Sequence, residues 1–354
     1  MKNIYKNKYI QIALIFIVLC GTANLFGNDL ERIVNLNKNW KFAIGDYQKW
    51  ASPKFNDDDW ERISVPSEWE NQGFQGYDGY AWYRTEFTID AIYDEDNIYL
   101  NLGYIDDVDE VYVNGVLVGF SGTFPPNYWT AYNAKRIYNV PRELIKFDKN
   151  NTIAVRVYDA QLGGGIVSGD IGIYVNQNSI AVEFDLSGIW DFKIGDNSGW
   201  SRKDLNTSDW INTMVPGFWR YIGYSEYDGF AWYRKIFYFN LDENQHYVLV
   251  LGKIDDLDEV YLNGTLVGST GDIQNKRIEG LEYRKLRVYY LTDFNLKENE
   301  NNVIAVRVYD GRQDGGIYEG PIGIIKRKTF QKYIEQEKTR NKYENNSFWN
   351  IFFN

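Results

Sequence analysis

Hydrophobic and polar positions alternate through most of this chain. Ile98, Leu100 and Leu102 interleave with Tyr99 and Asn101, and Ile153, Val155 and Val157 with Ala154, Arg156 and Tyr158. A period of two rich in β-branched residues predicts strands, because successive side chains of an extended backbone point to opposite faces. Tyr247, Leu249 and Leu251 repeat the first pattern later in the chain. Glu110–Val113, Asn114-Gly115 and Val116–Val118 predict a hairpin, and Asn263-Gly264 a second one, since Asn-Gly supplies the two positive-φ residues of a tight turn. No segment before residue 327 keeps a helical period. The expectation is an all-β chain of short strands and Gly- and Asp-rich turns, folded as two tandem β-sandwiches of jelly-roll type.

The pattern also repeats on a longer scale. Trp40–Asp46 reads WKFAIGD and Trp190–Asp196 reads WDFKIGD. Trp50, Trp60, Pro66, Trp69 and Gly73 recur as Trp200, Trp210, Pro216, Trp219 and Gly223, and YDGYAWYR from Tyr77 recurs as YDGFAWYR from Tyr227. GYIDDVDEVYVNG from Gly103 returns as GKIDDLDEVYLNG from Gly252, and IAVRVYD from Ile153 returns unchanged from Ile304. This is a duplicated domain. The copies are expected at 30–177 and 184–326, with a short link around Asn176 to Val182, in a chain of 354 residues. Residues 327–354 have no counterpart in the first copy. They begin with a charged stretch, Lys326 to Asn346, compatible with a solvated helix, and end in SFWNIFFN, read as docking on the second sandwich or as a partner or membrane-surface contact.

The N-terminus departs from the β pattern. Lys2, Lys6 and Lys8 precede an apolar run from Ile10 to Leu19, followed by Gly21, Thr22 and Ala23. This order predicts a secretory signal over 1–23, too short to span a membrane. Export to the periplasm, cell surface or medium follows, and lipidation of Cys20, the single cysteine, is an alternative route. Loss of residues 1–23 removes three lysines and no acid, taking the net charge from −11 to −14. Such a surface disfavours nucleic acid and suits a neutral ligand or cations. Twelve Trp and 29 Tyr serve either cores or sugar recognition.

Catalytic constellations are sparse. His246 is the single histidine and aligns with Asn97 in the other copy, which argues against a Ser-His-Asp triad and a His-based zinc site. No catalytic residue is assigned. The acidic runs Asp106, Asp107, Asp109, Glu110 and Asp255, Asp256, Asp258, Glu259 read as turn hydrogen bonding, with Ca²⁺ or ligand contact at Asp106, Asp107, Asp255 and Asp256 as the alternative. Tyr77, Asp78, Trp82 and Arg84, with Tyr227, Asp228, Trp232 and Arg234, combine a flat apolar face with polar groups, as a sugar site requires. The same strand pattern also fits a Trp packed between layers beside an acid-paired Arg. Asp159 and Asp310 precede Gly-rich loops, Gly163–Gly165 and Gly315–Gly316, that read either as tight turns or as places of close ligand approach. Between Gly119 and Ile137 the copies diverge, and Phe124, Tyr128, Trp129 and Tyr132 form a binding platform or a plug between domains.

W-x-F-x-x-G-D, D-x-W, the V-P turn, the WYR strand, D-E-V-Y-x-N-G-x-x-V-G and I-A-V-R-V-Y-D with GGI together resemble the N-terminal sugar-binding jelly-roll, or galactose-binding-like, domain of glycoside hydrolase family 2, the β-galactosidase and β-glucuronidase family. Modules accompanying sialate O-acetylesterase-like enzymes are similar. The resemblance covers both copies and implies a module whose loops help line the sugar site of a separate (β/α)₈ barrel, with Asp78 and Asp228 at a position that can contact sugar. A barrel of ~250 residues does not fit beside two sandwiches in this length. The expectation is therefore a carbohydrate-binding protein for neutral, galactoside-like glycans. A structural subunit for a separate glycosidase chain, and a glycoside hydrolase using Asp78 with Asp159, are the alternatives.

Overall fold

The computed structural model describes residues 30–344, apart from 177–179, 181, 241–244, 293–294, 298 and 313. The secretory signal expected over 1–23, Cys20 and the C-terminal aromatic run lie outside the described residues.

Strands dominate. In the first half, Glu61–Val65, Lys38–Ile44, Gly79–Phe87, Asn151–Asp159, Val108–Val113 and Val116–Ser121 lie side by side in that order as a six-stranded sheet. Opposite it, Ile98–Asp106 pairs with Gly172–Asn176, Gly165–Ser168 and Lys135–Val140, and Leu30–Asn35 closes the edge. Trp40, Phe42, Tyr83 and Val155 from the first sheet pack with Leu100, Leu102, Ile173 and Val175 from the second in one buried cluster. Two sheets joined through interdigitated apolar faces make a β-sandwich. The second half repeats it. A six-stranded sheet of Ile211–Val215, Gly188–Ile194, Gly229–Phe239, Glu300–Asp310, Leu257–Leu262 and Thr265–Thr270 faces a four-stranded one of Phe184–Asp185, Gly316–Lys326, Tyr247–Asp255 and Leu286–Tyr290.

Local chemistry accounts for the turns. Asn114 and Gly115 have φ of 52° and 86°, and Asn263 and Gly264 repeat those values, as a tight Asn-Gly hairpin requires. Each Asn also works as a clamp: the Asn114 amide donates to Leu144 O and to Asn151 Oδ1, and Asn263 donates to Asn295 O and Asn302 Oδ1.

The charged stretch after Lys326 is a helix, Arg327–Glu344. It is not fully solvated. Phe330 is buried against Ile180, Val248, Val250 and Ile325, with Tyr333 and Ile334 partly covered beside it. No helix among the described residues is long and apolar enough to cross a membrane.

Candidate functional site

The WYR strands carry the first group of predicted ligand contacts, and they carry them inside the protein. Trp82 and Trp232 are 0% exposed, and Arg84 and Arg234 are buried. Trp82 does leave the main core, as the alternation requires, but a loop covers it: its ring meets Trp50 edge-on and stacks on Tyr112, with Ala51 and Ala154 adjacent. Arg84 donates to Asp57 Oδ2 at 2.7 Å and to Trp50 O, which pins that loop down. Arg234 reaches Trp200 O in the same way. Rather than meeting solvent as the sugar-contact reading requires, these four residues pack a sheet against its covering loop, Arg84 through an ion pair with Asp57 and Arg234 through the Trp200 carbonyl. Tyr77 is spent similarly. Its hydroxyl donates to Tyr80 O at 2.7 Å, and Tyr227 donates to Phe230 O at 2.7 Å, closing the turns that hold the exposed Asp78 and Asp228.

The Gly-rich loops are set by packing too. A side chain at Gly164 would place its Cβ 2.2 Å from the Trp69 ring, and one at Gly315 would lie 2.3 Å from the Trp219 ring. Close approach of a buried tryptophan, rather than of a ligand, demands glycine there. Asp159 and Asp310, just upstream, are 0% exposed and cannot touch a sugar directly.

The acidic runs separate into three jobs. Asp109 forms a fully buried ion pair with Arg136 at 2.7 Å and accepts from Tyr138 at 2.6 Å. Arg136 also donates to Ala131 O, Ala134 O and Asp107 O, so every nitrogen of its guanidinium is engaged. Asp258, Arg287 and Tyr289 rebuild the arrangement in the second sandwich. Glu110 and Asp46 share Arg156, as Glu259 and Asp196 share Arg307. This assigns the terminal Asp of the WxFxxGD motif to an ion pair. Sequence reasoning missed Arg136 and Arg287, although R-x-Y recurs at Arg136–Tyr138 and Arg287–Tyr289 across the end of the stretch taken as divergent.

The remaining acids converge. Carboxylate oxygens of Asp106, Asp107 and Asp159 lie within 4.8 Å of one another, and so do those of Asp255, Asp256 and Asp310. Asp107 accepts from Thr130 Oγ1 and, at 3.0 Å, from Ala160 N. Asp159 Oδ1 accepts from Gln161 N at 3.2 Å, whereas its Oδ2 is buried with no hydrogen-bond partner; Asp310 shows the same pattern with Arg312 N at 3.0 Å. Burial and then the adjacent Asp107 carboxylate push Asp106 up to about 7, and burial with the neighbouring acids pushes Asp159 up to about 7. Asp255 rises to about 8 and Asp310 to about 7 for the same reasons. For Asp107 burial acts upward, but hydrogen bonds from Thr130, the Ala160 amide and Tyr128 hold the group below its usual value.

The aromatic loop of the first sandwich reaches the second. Trp129 is 41% exposed, and its indole N–H donates to Arg220 O at 2.9 Å. Gly122 N donates to Tyr221 O at 3.1 Å nearby. Elsewhere along the junction, Asn139 donates to Asp185 Oδ2 at 2.6 Å and to Ser187 Oγ at 2.8 Å. Beside that contact a cleft of about 460 Å³ opens between the two sandwiches. Tyr99 and Asn139 line one wall, and Asp185, Lys253, Tyr318 and Glu319 the other. Lys253 and Glu319 pair at 2.7 Å and are partly exposed. Burial, opposed in part by hydrogen bonds from the Ser187 amide and hydroxyl, raises the Asp185 carboxyl above its usual range. His246 lies outside all of these groups, exposed at the start of a strand.

Residues 45–162 match the family profile of the β-galactosidase second all-β domain. The β-galactosidase BoGH2A of Bacteroides ovatus is 27% identical over 161 residues, 40% of this chain and 17% of that protein. A Formosa agariphila protein that carries the β-glucuronidase name is 30% identical over 159 residues, 41% of this chain and 14% of that protein. The chain thus spans less than a fifth of these curated relatives. Among solved structures, a Bacteroides uniformis β-glucuronidase is 19% identical, with 81% of this chain and 28% of that chain covered at a TM-score of 0.35. A Ruminococcus gnavus β-glucuronidase is 13% identical, with 84% and 44% covered at 0.33. On the sequence matches, residues 45–162 resemble a β domain of the β-galactosidases and β-glucuronidases of glycoside hydrolase family 2.

Proposed function

We propose that this chain is an exported carbohydrate-binding protein, and that its two sandwiches, 30–177 and 184–326, are jelly-roll modules that bind neutral glycans without hydrolysing them. The cleft between the sandwiches carries the reading. Its volume of about 460 Å³ falls within the roughly 300–1,000 Å³ of small-molecule sites. Two tyrosines offer apolar ring surface, while Asn139, Asp185, Lys253 and Glu319 offer donors and acceptors for hydroxyls. A mutually neutralised Lys253–Glu319 pair on one wall suits an uncharged, hydroxyl-rich ligand better than an anion or a hydrophobe. The relatives that share the β domain are named as β-galactosidases and β-glucuronidases, which supports a glycan as the ligand class. The acid-rich surface, at a net charge of −11, agrees with a neutral ligand.

The test is a glycan array probed with the purified chain, run beside an aryl-glycoside turnover assay. Selective retention of neutral, galactoside-type glycans without turnover is expected. A blank array from folded protein rejects glycan binding, and turnover would return the chain to the hydrolases.

A further inference from the structure

We propose that Asp106, Asp107 and Asp159, and again Asp255, Asp256 and Asp310, each bind one divalent cation of the Ca²⁺ class through carboxylate oxygens. The first observation is geometric. Oxygens ligating one Ca²⁺ at roughly 2.3–2.6 Å lie at most about 5 Å apart, and each triad gathers its oxygens within 4.8 Å. The second is independent of the clustering. Asp159 and Asp310 are 0% exposed, and one oxygen of each, Oδ2, has no hydrogen-bond partner. Buried carboxylate oxygens are normally satisfied, so an orphan inside an acid cluster marks a ligand position.

The neighbouring cations cannot serve instead. Arg136 is committed to Asp109 and three carbonyls, and Arg287 to Asp258 and the carbonyls of Glu282, Lys285, Ile254 and Asp256. The donor set is oxygen only, since His246 and Cys20 are the chain's single His and Cys and neither is in a triad. Oxygen ligands select a hard cation over zinc. Asp106 and Asp255 are only partly buried, which leaves an entry side for the ion and for water ligands. Both halves of the duplication keep the whole triad although the loops between diverge.

The site has a structural consequence. Asp107 holds Thr130 through its carboxylate and Ala131 N through its carbonyl, at the base of the loop whose Trp129 reaches Arg220 O. A cation at the first triad therefore braces the loop that ties the two sandwiches together.

The experiment is calorimetric titration of CaCl₂ into chelator-stripped full chain, with thermal unfolding recorded in parallel. Two ions per chain are expected, and at a hundredfold excess over Kd the melting temperature rises by about 5–10 °C. Asp159→Asn keeps the acceptor toward Gln161 N and should leave one ion per chain; Asp159→Asn with Asp310→Asn should leave none. Should the double variant fail to fold, the wild-type stoichiometry and the two single variants decide. No heat and no thermal shift in folded wild type up to about 10 mM Ca²⁺ would overturn the proposal. An equal shift from NaCl at matched ionic strength would overturn it too, by identifying screening as the cause.

Discussion

Replacing Trp82 by alanine should cost stability rather than ligand binding. Trp82 is 0% exposed, and its indole contacts Trp50 at a ring separation of 6.2 Å and Tyr112 at 5.8 Å. Burying a Trp removes roughly 150–250 Å² from water, which at about 25 cal/mol per Å² is worth roughly 4–6 kcal/mol. Two aromatic pairs add about 0.5–1.5 kcal/mol each. Relaxation works the other way: Trp50 and Trp60 sit in a partly exposed loop that can settle into the space. The indole N–H contact to Asp46 is 3.3 Å, and Asp46 keeps Arg156, so little is lost there. The net expectation is about 3–5 kcal/mol, in the usual range for Trp→Ala in a core. For a sandwich of this size that lowers the melting temperature by roughly 6–20 °C. Urea unfolding followed by far-UV CD would measure it, and Trp232→Ala should shift the transition of the second sandwich by a similar amount. Glycan affinity at a temperature where the variant stays folded should be unchanged. A cost below about 1 kcal/mol together with lost binding would refute the reasoning and make Trp82 a ligand platform.

Other outcomes follow from the same structure. Asp109→Asn strands a guanidinium that is 0% exposed and should cost about 3–5 kcal/mol, whereas Asp109→Leu with Arg136→Met should recover most of it, both read by urea unfolding. Asp185 titrates higher in the folded chain than in the unfolded one. Its stabilising contribution is thus present below the unfolded value, near 4, and is lost as pH rises through the folded one. Melting temperatures from pH 4 to 7 should fall less steeply for Asp185→Asn than for wild type. Phe330→Ala should release the Arg327–Glu344 helix at a cost of about 3 kcal/mol, visible as faster amide exchange over that helix while the sheets stay protected.

Most of the architecture was legible because it rests on local rules. Alternation marked the strands, Asn-Gly marked both hairpins, and the duplication let each reading be checked against its copy. The site was less legible for a physical reason. Alternation says that Trp82 and Arg84 leave the main core, but not whether the far face meets water or a covering loop. That depended on Trp50, Asp57 and Trp60, which come from a separate loop earlier in the chain. The acid triads were half visible: Asp106 and Asp107 are adjacent in sequence, whereas Asp159 joins them through strand pairing more than 50 residues away. The cleft was invisible, since it exists only where two sandwiches meet.

The measurement that tests the central claim most directly is a calorimetric binding isotherm for an array-positive neutral glycan, on wild type and on Lys253→Ala with Glu319→Ala. That pair lines the cleft and is partly exposed, so removing it should change stability by less than about 1 kcal/mol. Charged hydrogen bonds to a ligand are worth about 1.5–3 kcal/mol, so affinity should drop roughly 10- to 100-fold at an unchanged melting temperature. Wild-type affinity in the folded double variant would contradict the cleft as the glycan site.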